Sequence, residues 1–121
     1  MNLTWMPRAL GLATAAYGAS VLLRPALFLR PTGLATGEPG MALATTARAV
    51  AGRDLVSGLV MAFAPAGSGL RTAIAIRVGC DASDTVLFSA MLRGPERTKA
   101  VAVAAGWGIL CGLSALAARS R

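Results

Sequence analysis

Arg77, Asp81 and Asp84 are the residues of this chain whose types and spacing most invite chemistry. The first two lie four apart and the last two three apart, so a helix through them carries all three on one face. Their surroundings, from Leu70 to Phe88, are mostly apolar or small, which makes the stretch a candidate membrane span with ionisable groups near its middle. Each such group costs roughly 2.5–3.5 kcal/mol on insertion scales, so it normally faces a bundle interior and a partner. An arginine beside a buried carboxyl holds it ionised, and two aspartates in unlike surroundings can divide into an acid and a base. The chemistry within reach is proton transfer without a metal, as in epoxide opening, cyclisation or double-bond isomerisation. Arg77 or Arg53 would stabilise a developing oxyanion.

The elements that must position these groups are written in the composition. The chain has 121 residues, the size of one domain. Hydrophobic residues make up 55% and charged residues 14%, with a mean hydropathy of +0.63, so an all-α integral membrane protein is expected. Histidine is absent, which removes the commonest transition-metal ligand and the usual proton shuttle. The two cysteines have no CxxC spacing, so neither a metal site nor a cofactor is expected. One arginine precedes the first apolar run and no polar domain follows it, so that run is expected to be a retained first helix.

Four apolar segments, near 3–23, 41–63, 70–92 and 98–118, each hold on the order of 20 residues, enough to cross a hydrocarbon core. The first carries Trp5 and Arg8 near one end, a row of small residues (Gly11, Ala15, Gly18 and Ala19), and Tyr17 at depth. The hydroxyl of Tyr17 needs a partner if it faces inward. The connection from Pro25 to Gly40 is rich in turn residues. Its apolar centre, Ala26 to Leu29, is either a surface loop or a short lid at the membrane face. The second segment holds Arg48, Arg53, Asp54, Ser57 and Gly58, and a short Gly/Pro connection predicts that it lies antiparallel to the third. Arg93 to Lys99 form a charged turn with Glu96 at the start of the fourth helix. That helix carries Trp107, deeper than an interfacial residue, and Gly108 and Gly112 in a GxxxG arrangement that offers a surface for a homodimer. The chain ends in the basic Arg119-Ser120-Arg121.

If the second and third segments fold back about Gly67, residues at equal depth have numbers with a nearly constant sum. On that basis Arg53 pairs with Asp81, Arg77 with Asp54, and Arg48 with Asp84, while adjacent Arg53 and Asp54 point different ways. The same reasoning about Pro95 puts Cys80 and Cys111 at one depth, as core residues or a redox pair. Three arginines and three aspartates inside the spans cancel, so the net +7 belongs to loops and ends. That excess suits anionic lipid headgroups, and nucleic acid is not an expected partner. Arg8, Arg71, Arg119 and Arg121 at one end nearly balance Arg24, Arg30, Arg93, Arg97 and Lys99 at the other, which leaves orientation open.

At Ala47 to Gly58, which contains Gly52-Arg53-Asp54, and at Asp81-Ala82-Ser83-Asp84, the chain resembles the small four-helix membrane proteins called DoxX-like. The resemblance is to the branch with a GxRD-type motif in the second helix and an aspartate pattern in the third. It implies a four-helix membrane bundle with an intramembrane polar site, and it implies no particular activity. The expected setting is a multi-pass protein of a bacterial plasma membrane.

Two function classes follow. The first is a membrane enzyme acting on a small lipophilic substrate. Asp81, Asp84 and Asp54 would be its catalytic groups, and Arg77, Arg53, Arg48, Ser57, Trp107 and Tyr17 would bind substrate or stabilise charge. The second is a small dimeric transporter, or a subunit whose charges pair with a partner. A purely structural role also competes, since ion-pair networks fix helix register. An enzyme predicts a closed cavity inside one protomer, lined by Asp54, Asp81, Asp84 and Trp107. A transporter predicts a site on a symmetry axis or a continuous aqueous path, and a subunit predicts charges without partners.

Overall fold

In a computed structural model, which describes residues 4–119 and the side chains of residues 4–116, the chain is all-helical. The helices are α1 (Trp5–Leu23), α2 (Ala26–Leu29), α3 (Met41–Phe63), α4 (Ser68–Met91) and α5 (Gly94–Arg119). Leu3, the expected start of the first helix, and the basic side chains of the C-terminal end lie outside the described residues.

Proline sets most of the boundaries. Pro7 sits in the first turn of α1, where its missing N–H removes no helix bond. Pro25 drives Arg24 out of the helical region and ends α1. Pro65 does the same at Ala64, the extended residue that closes α3. Gly67 then turns the chain into α4 at φ +92°, a conformation that residues with a Cβ rarely adopt. The charged stretch after Leu92 is shorter as a turn than expected. Pro95 is well suited to a first helical turn, so α5 begins at Gly94 rather than near residue 98.

The four long helices form two antiparallel pairs, α1 on α3 and α4 on α5, and contact between the pairs is thinner. The small residues of α1 explain the first pair. A Cβ built on Gly11 would lie 2.6 Å from the Gly58 carbonyl oxygen, and one on Gly58 would lie 2.5 Å from that of Gly11. The backbones therefore touch directly. Two arginines close the ends of this pair reciprocally. Arg8 on α1 donates to the Ala62 carbonyl in the last turn of α3 (2.7 Å), and Arg48 on α3 donates to the Leu22 carbonyl in the last turn of α1 (3.0 Å). Each guanidinium meets a helix end where carbonyls lack partners and the dipole is negative.

Gly108 and Gly112, expected on a dimer surface, face α4 inside the chain. A Cβ on Gly108 would lie 3.0 Å from Cβ of Asp81, and one on Gly112 would lie 3.8 Å from a Val78 methyl. The GxxxG pattern thus serves packing within the protomer.

Two apolar clusters lie on either side of a polar middle. Met61, Leu70, Ala73, Ile74 and Cys111 form one, toward the turn between α3 and α4. Val21, Leu29, Ala47 and Ala51 form the other, toward α2. Between them the largest fully buried side chain is Arg77, 1% exposed. Leu23, Val56, Phe63, Val86, Val103 and Ile109, by contrast, point outward and are exposed. Charge inside and large aliphatic groups outside is the reverse of a water-soluble domain. By length and composition, one helix among the described residues, spanning Gly94–Leu116, is apolar enough to cross a membrane. α3 and α4 are long enough but carry the ionisable groups, which lower their hydropathy.

Candidate functional site

The polar middle is a chain of alternating charge: Asp84, Arg53, Asp54, Arg77, Asp81. Arg53 grips Asp84 with both terminal nitrogens, Nη1 to Oδ1 at 3.1 Å and Nη2 to Oδ2 at 2.8 Å, the fork that matches a carboxylate. Its Nη2 also reaches Asp54 Oδ1 at 3.0 Å. Arg77 Nη1 donates to the same Asp54 oxygen and to Ser57 Oγ, both at 2.9 Å, and its Nη2 donates to Asp81 Oδ1 at 2.9 Å. Helix periodicity delivers these groups: Asp54 and Ser57 share one face of α3, and Arg77, Asp81 and Asp84 share one face of α4.

Of the three expected pairs, only Arg77 with Asp54 forms. Arg53 takes Asp84 in place of Asp81, and it also bonds its neighbour Asp54, so the two adjacent side chains converge where divergence was expected. Arg48 does not meet Asp84. It is exposed and held by the end of α1, which removes it from the site. Equal depth is the reason for both corrections. It locates a residue to about one helical turn of 5.4 Å, and an arginine side chain reaches farther than that.

Beside this network lies a cavity of about 470 Å³ within the single chain. Its polar wall is Asp54, Arg77, Asp81 and Asp84, and its apolar wall includes Tyr17, Phe28, Phe88, Val103 and Trp107. The volume is that of a small-molecule site, and so is the pattern of mainly apolar walls with a few polar groups. Arg53 and Ser57 stand behind the wall and bond the residues that form it. Trp107 is fixed by a hydrogen bond from its indole Nε1 to Thr14 Oγ1 at 2.8 Å, which joins α5 to α1. α2 covers the cavity toward the membrane face as the lid reading of Ala26 to Leu29 anticipated, with the Phe28 and Phe88 rings 6.0 Å apart. Thr32 holds that short helix in place by donating to the Phe28 and Leu29 carbonyl region.

Thr14, Phe88 and Lys99 belong to the site and were not expected in it. Phe88 was within reach of periodicity: it continues the spacing of 77, 81 and 84 by one more turn. Lys99 lies on the face of α5 that also presents Val103 and Trp107, and nothing in its own surroundings singled it out. Thr14 carries no signal apart from being a small polar residue in an apolar helix.

Two buried side-chain atoms among the described residues lack a hydrogen-bond partner, and both belong to the cavity wall: Arg77 Nε and Asp81 Oδ2. The other members of the network are bonded. Among the described residues no three acidic, histidine or cysteine side chains are grouped to hold one metal ion. Cys80 and Cys111 are both free thiols, and Cys111 packs into the apolar cluster with Met61 and Leu70. No family model, curated protein or solved structure matches the chain.

Proposed function

We propose that this is a multi-pass membrane protein of four spanning helices that carries out metal-free acid–base chemistry on a small lipophilic molecule held in the central cavity. The observation that carries the reading is the unbonded Oδ2 of Asp81 on the wall of an otherwise paired network. Asp84 has both oxygens on the Arg53 fork, which holds it as a fixed carboxylate. Asp81, bonded through one oxygen only, is the group free to exchange a proton with a bound molecule. Arg77 Nε, a donor without an acceptor, is available to negative charge forming on a substrate oxygen. The DoxX-like resemblance at Gly52-Arg53-Asp54 and Asp81 to Asp84 supports the same architecture.

The membrane part of the reading rests on the inverted distribution of polarity. A soluble monomer rarely exposes a continuous apolar surface of this kind, whereas lipid requires one. The ionisable groups of α3 and α4 that depress their hydropathy face one another and the cavity, where a bundle interior tolerates them. Alkaline carbonate extraction is expected to leave the protein in the membrane pellet, and release into the supernatant would refute a spanning bundle.

Native mass spectrometry of the detergent-purified protein tests the site. The expected result is a small lipophilic molecule bound to the wild type and absent from a folded Asp81→Asn variant. A stable dimer with an empty cavity would move the reading to transport or scaffolding.

A further inference from the structure

The two orphaned atoms are halves of one unfinished contact. Nε and Nη2 of an arginine lie along the same edge of the guanidinium, the edge that commonly meets a carboxylate with two parallel hydrogen bonds. In the Arg77–Asp81 pair one of those bonds is made, Nη2 to Oδ1 at 2.9 Å. The other is not: Nε keeps a hydrogen without an acceptor, and Oδ2 keeps lone pairs without a donor. Both residues are withdrawn from solvent, Arg77 at 1% and Asp81 at 5% exposure, so bulk water does not routinely supply the missing partners. Buried groups left in this state are costly, which makes the open half a place where a ligand gains by binding.

We infer that the ligand is a lipophilic alcohol whose hydroxyl completes this contact, accepting from Arg77 Nε and donating to Asp81 Oδ2. The inference rests on the proposed function and narrows its substrate class. A hydroxyl is the simple group that does both things through one atom. A ketone or ether oxygen accepts but cannot donate, so Oδ2 stays unbonded. An ammonium donates but cannot accept, so Nε stays unbonded. Reaching Oδ2 needs the Asp81 carboxylate to turn about its terminal torsion, which is a soft one. Gly108 leaves the space alongside, since even a Cβ there would remain 3.8 Å from Oδ2.

The rest of the cavity fits the body of such a molecule. The chain has only two tryptophans, one tyrosine and three phenylalanines, and four of these six aromatic residues (Tyr17, Phe28, Phe88 and Trp107) line this one cavity. Lys99 lies at its exposed end, at the start of α5, while the open contact lies at its buried end. The five-residue network, with every member ionised, holds one more negative than positive charge. A cation is therefore the strongest rival ligand, and the test includes one.

The experiment uses full-length protein carrying Trp5→Phe in neutral phospholipid nanodiscs, so that Trp107 is the one indole reporting binding. Three probes share a skeleton: phenylhexanol, its methyl ether and phenylhexylammonium. The alcohol is expected to bind about tenfold more tightly than either of the others, since only it bonds both orphaned atoms. Asp81→Asn is expected to abolish that advantage while leaving ether affinity unchanged. The comparison among probes on the unaltered site needs no variant to fold. Equal affinity for alcohol and ether would overturn the hydroxyl inference and leave the proposed cavity function standing. Tightest binding of the ammonium would overturn it in favour of charge recognition. If no probe perturbs Trp107, and filling the cavity with Ala104→Phe changes nothing in the native mass spectrum, the proposed function fails together with the inference.

Discussion

Arg77 on α4 and Asp54 on α3 meet at 2.9 Å across the seam between the two helix pairs, and both are withdrawn from solvent. The same carboxylate oxygen is shared with Arg53, so one atom of Asp54 collects both arginines of the network. The seam has thin side-chain packing elsewhere. Polar bonds therefore carry much of the attachment between the pairs: Arg77 to Asp54 and Ser57, Arg53 to Asp84, and Trp107 to Thr14.

Removing Arg77 strands two carboxylates at once. Arg77→Met is expected to destabilise the fold by about 3–5 kcal/mol, the usual consequence of leaving buried charges unpaired. Replacing Asp54, Arg77 and Asp81 together by apolar residues of similar volume should cost much less. Unfolding midpoints in mixed micelles compare the two. A triple variant less stable than Arg77→Met would mean that the ions contribute net stability.

Backbone contact between α1 and α3 predicts a sharp contrast among glycines. Gly58→Val places carbon within 2.6 Å of backbone atoms of α1 and is expected to prevent the pair from docking. Gly79 and Gly106 have nothing within 4 Å of an added Cβ. Alanine at either is expected to stabilise its helix by up to about 1 kcal/mol. Thermal denaturation of the three variants decides, and equal behaviour would refute the close approach.

Thr14→Val takes the acceptor from the Trp107 indole. The loss is expected to be about 1 kcal/mol of stability, with a shift of Trp107 emission to shorter wavelength in a Trp5→Phe background. An unchanged emission maximum would mean that the 2.8 Å bond is not formed in the membrane.

The thiols differ in access. Cys80 is partly exposed and Cys111 is fully buried against Met61 and Leu70, so a lipophilic maleimide should label Cys80 and spare Cys111 until the protein is unfolded. Mild oxidation should give no intramolecular disulfide. A bridge between the two would show that common depth brings them together after all.

The legible part of this molecule was whatever depends on helical period. Arg77, Asp81 and Asp84 share a face because of their spacing, and the small residues of α1 mark a close approach. Choice of partner was not legible. A guanidinium on a long side chain selects among acceptors lying more than a turn apart, so Arg53 reaches Asp84 rather than Asp81. Arg48 shows the same limit differently, since the acceptor it finds is a carbonyl at the end of a neighbouring helix, which no side-chain pattern records. Gly108 and Gly112 announced close packing without naming the surface, which proved to be α4. Thr14 entered the site through a contact spanning 93 residues of sequence, beyond any local signal.

The two helix pairs are also consecutive in the chain, the first complete at Phe63 and the second starting at Ser68. On a ribosome the first hairpin is therefore finished a few seconds before the second has been made, at ordinary rates of synthesis. During that interval Arg53 and Asp54 lack the aspartates and arginine of α4, but they have each other, at 3.0 Å. The adjacent pair keeps the early hairpin neutral at its middle while it waits in the lipid, and Arg8 and Arg48 already close its ends. Two separately encoded chains divided at Gly67 should accordingly insert one by one and assemble afterwards, which co-purification through a tag on either half would reveal.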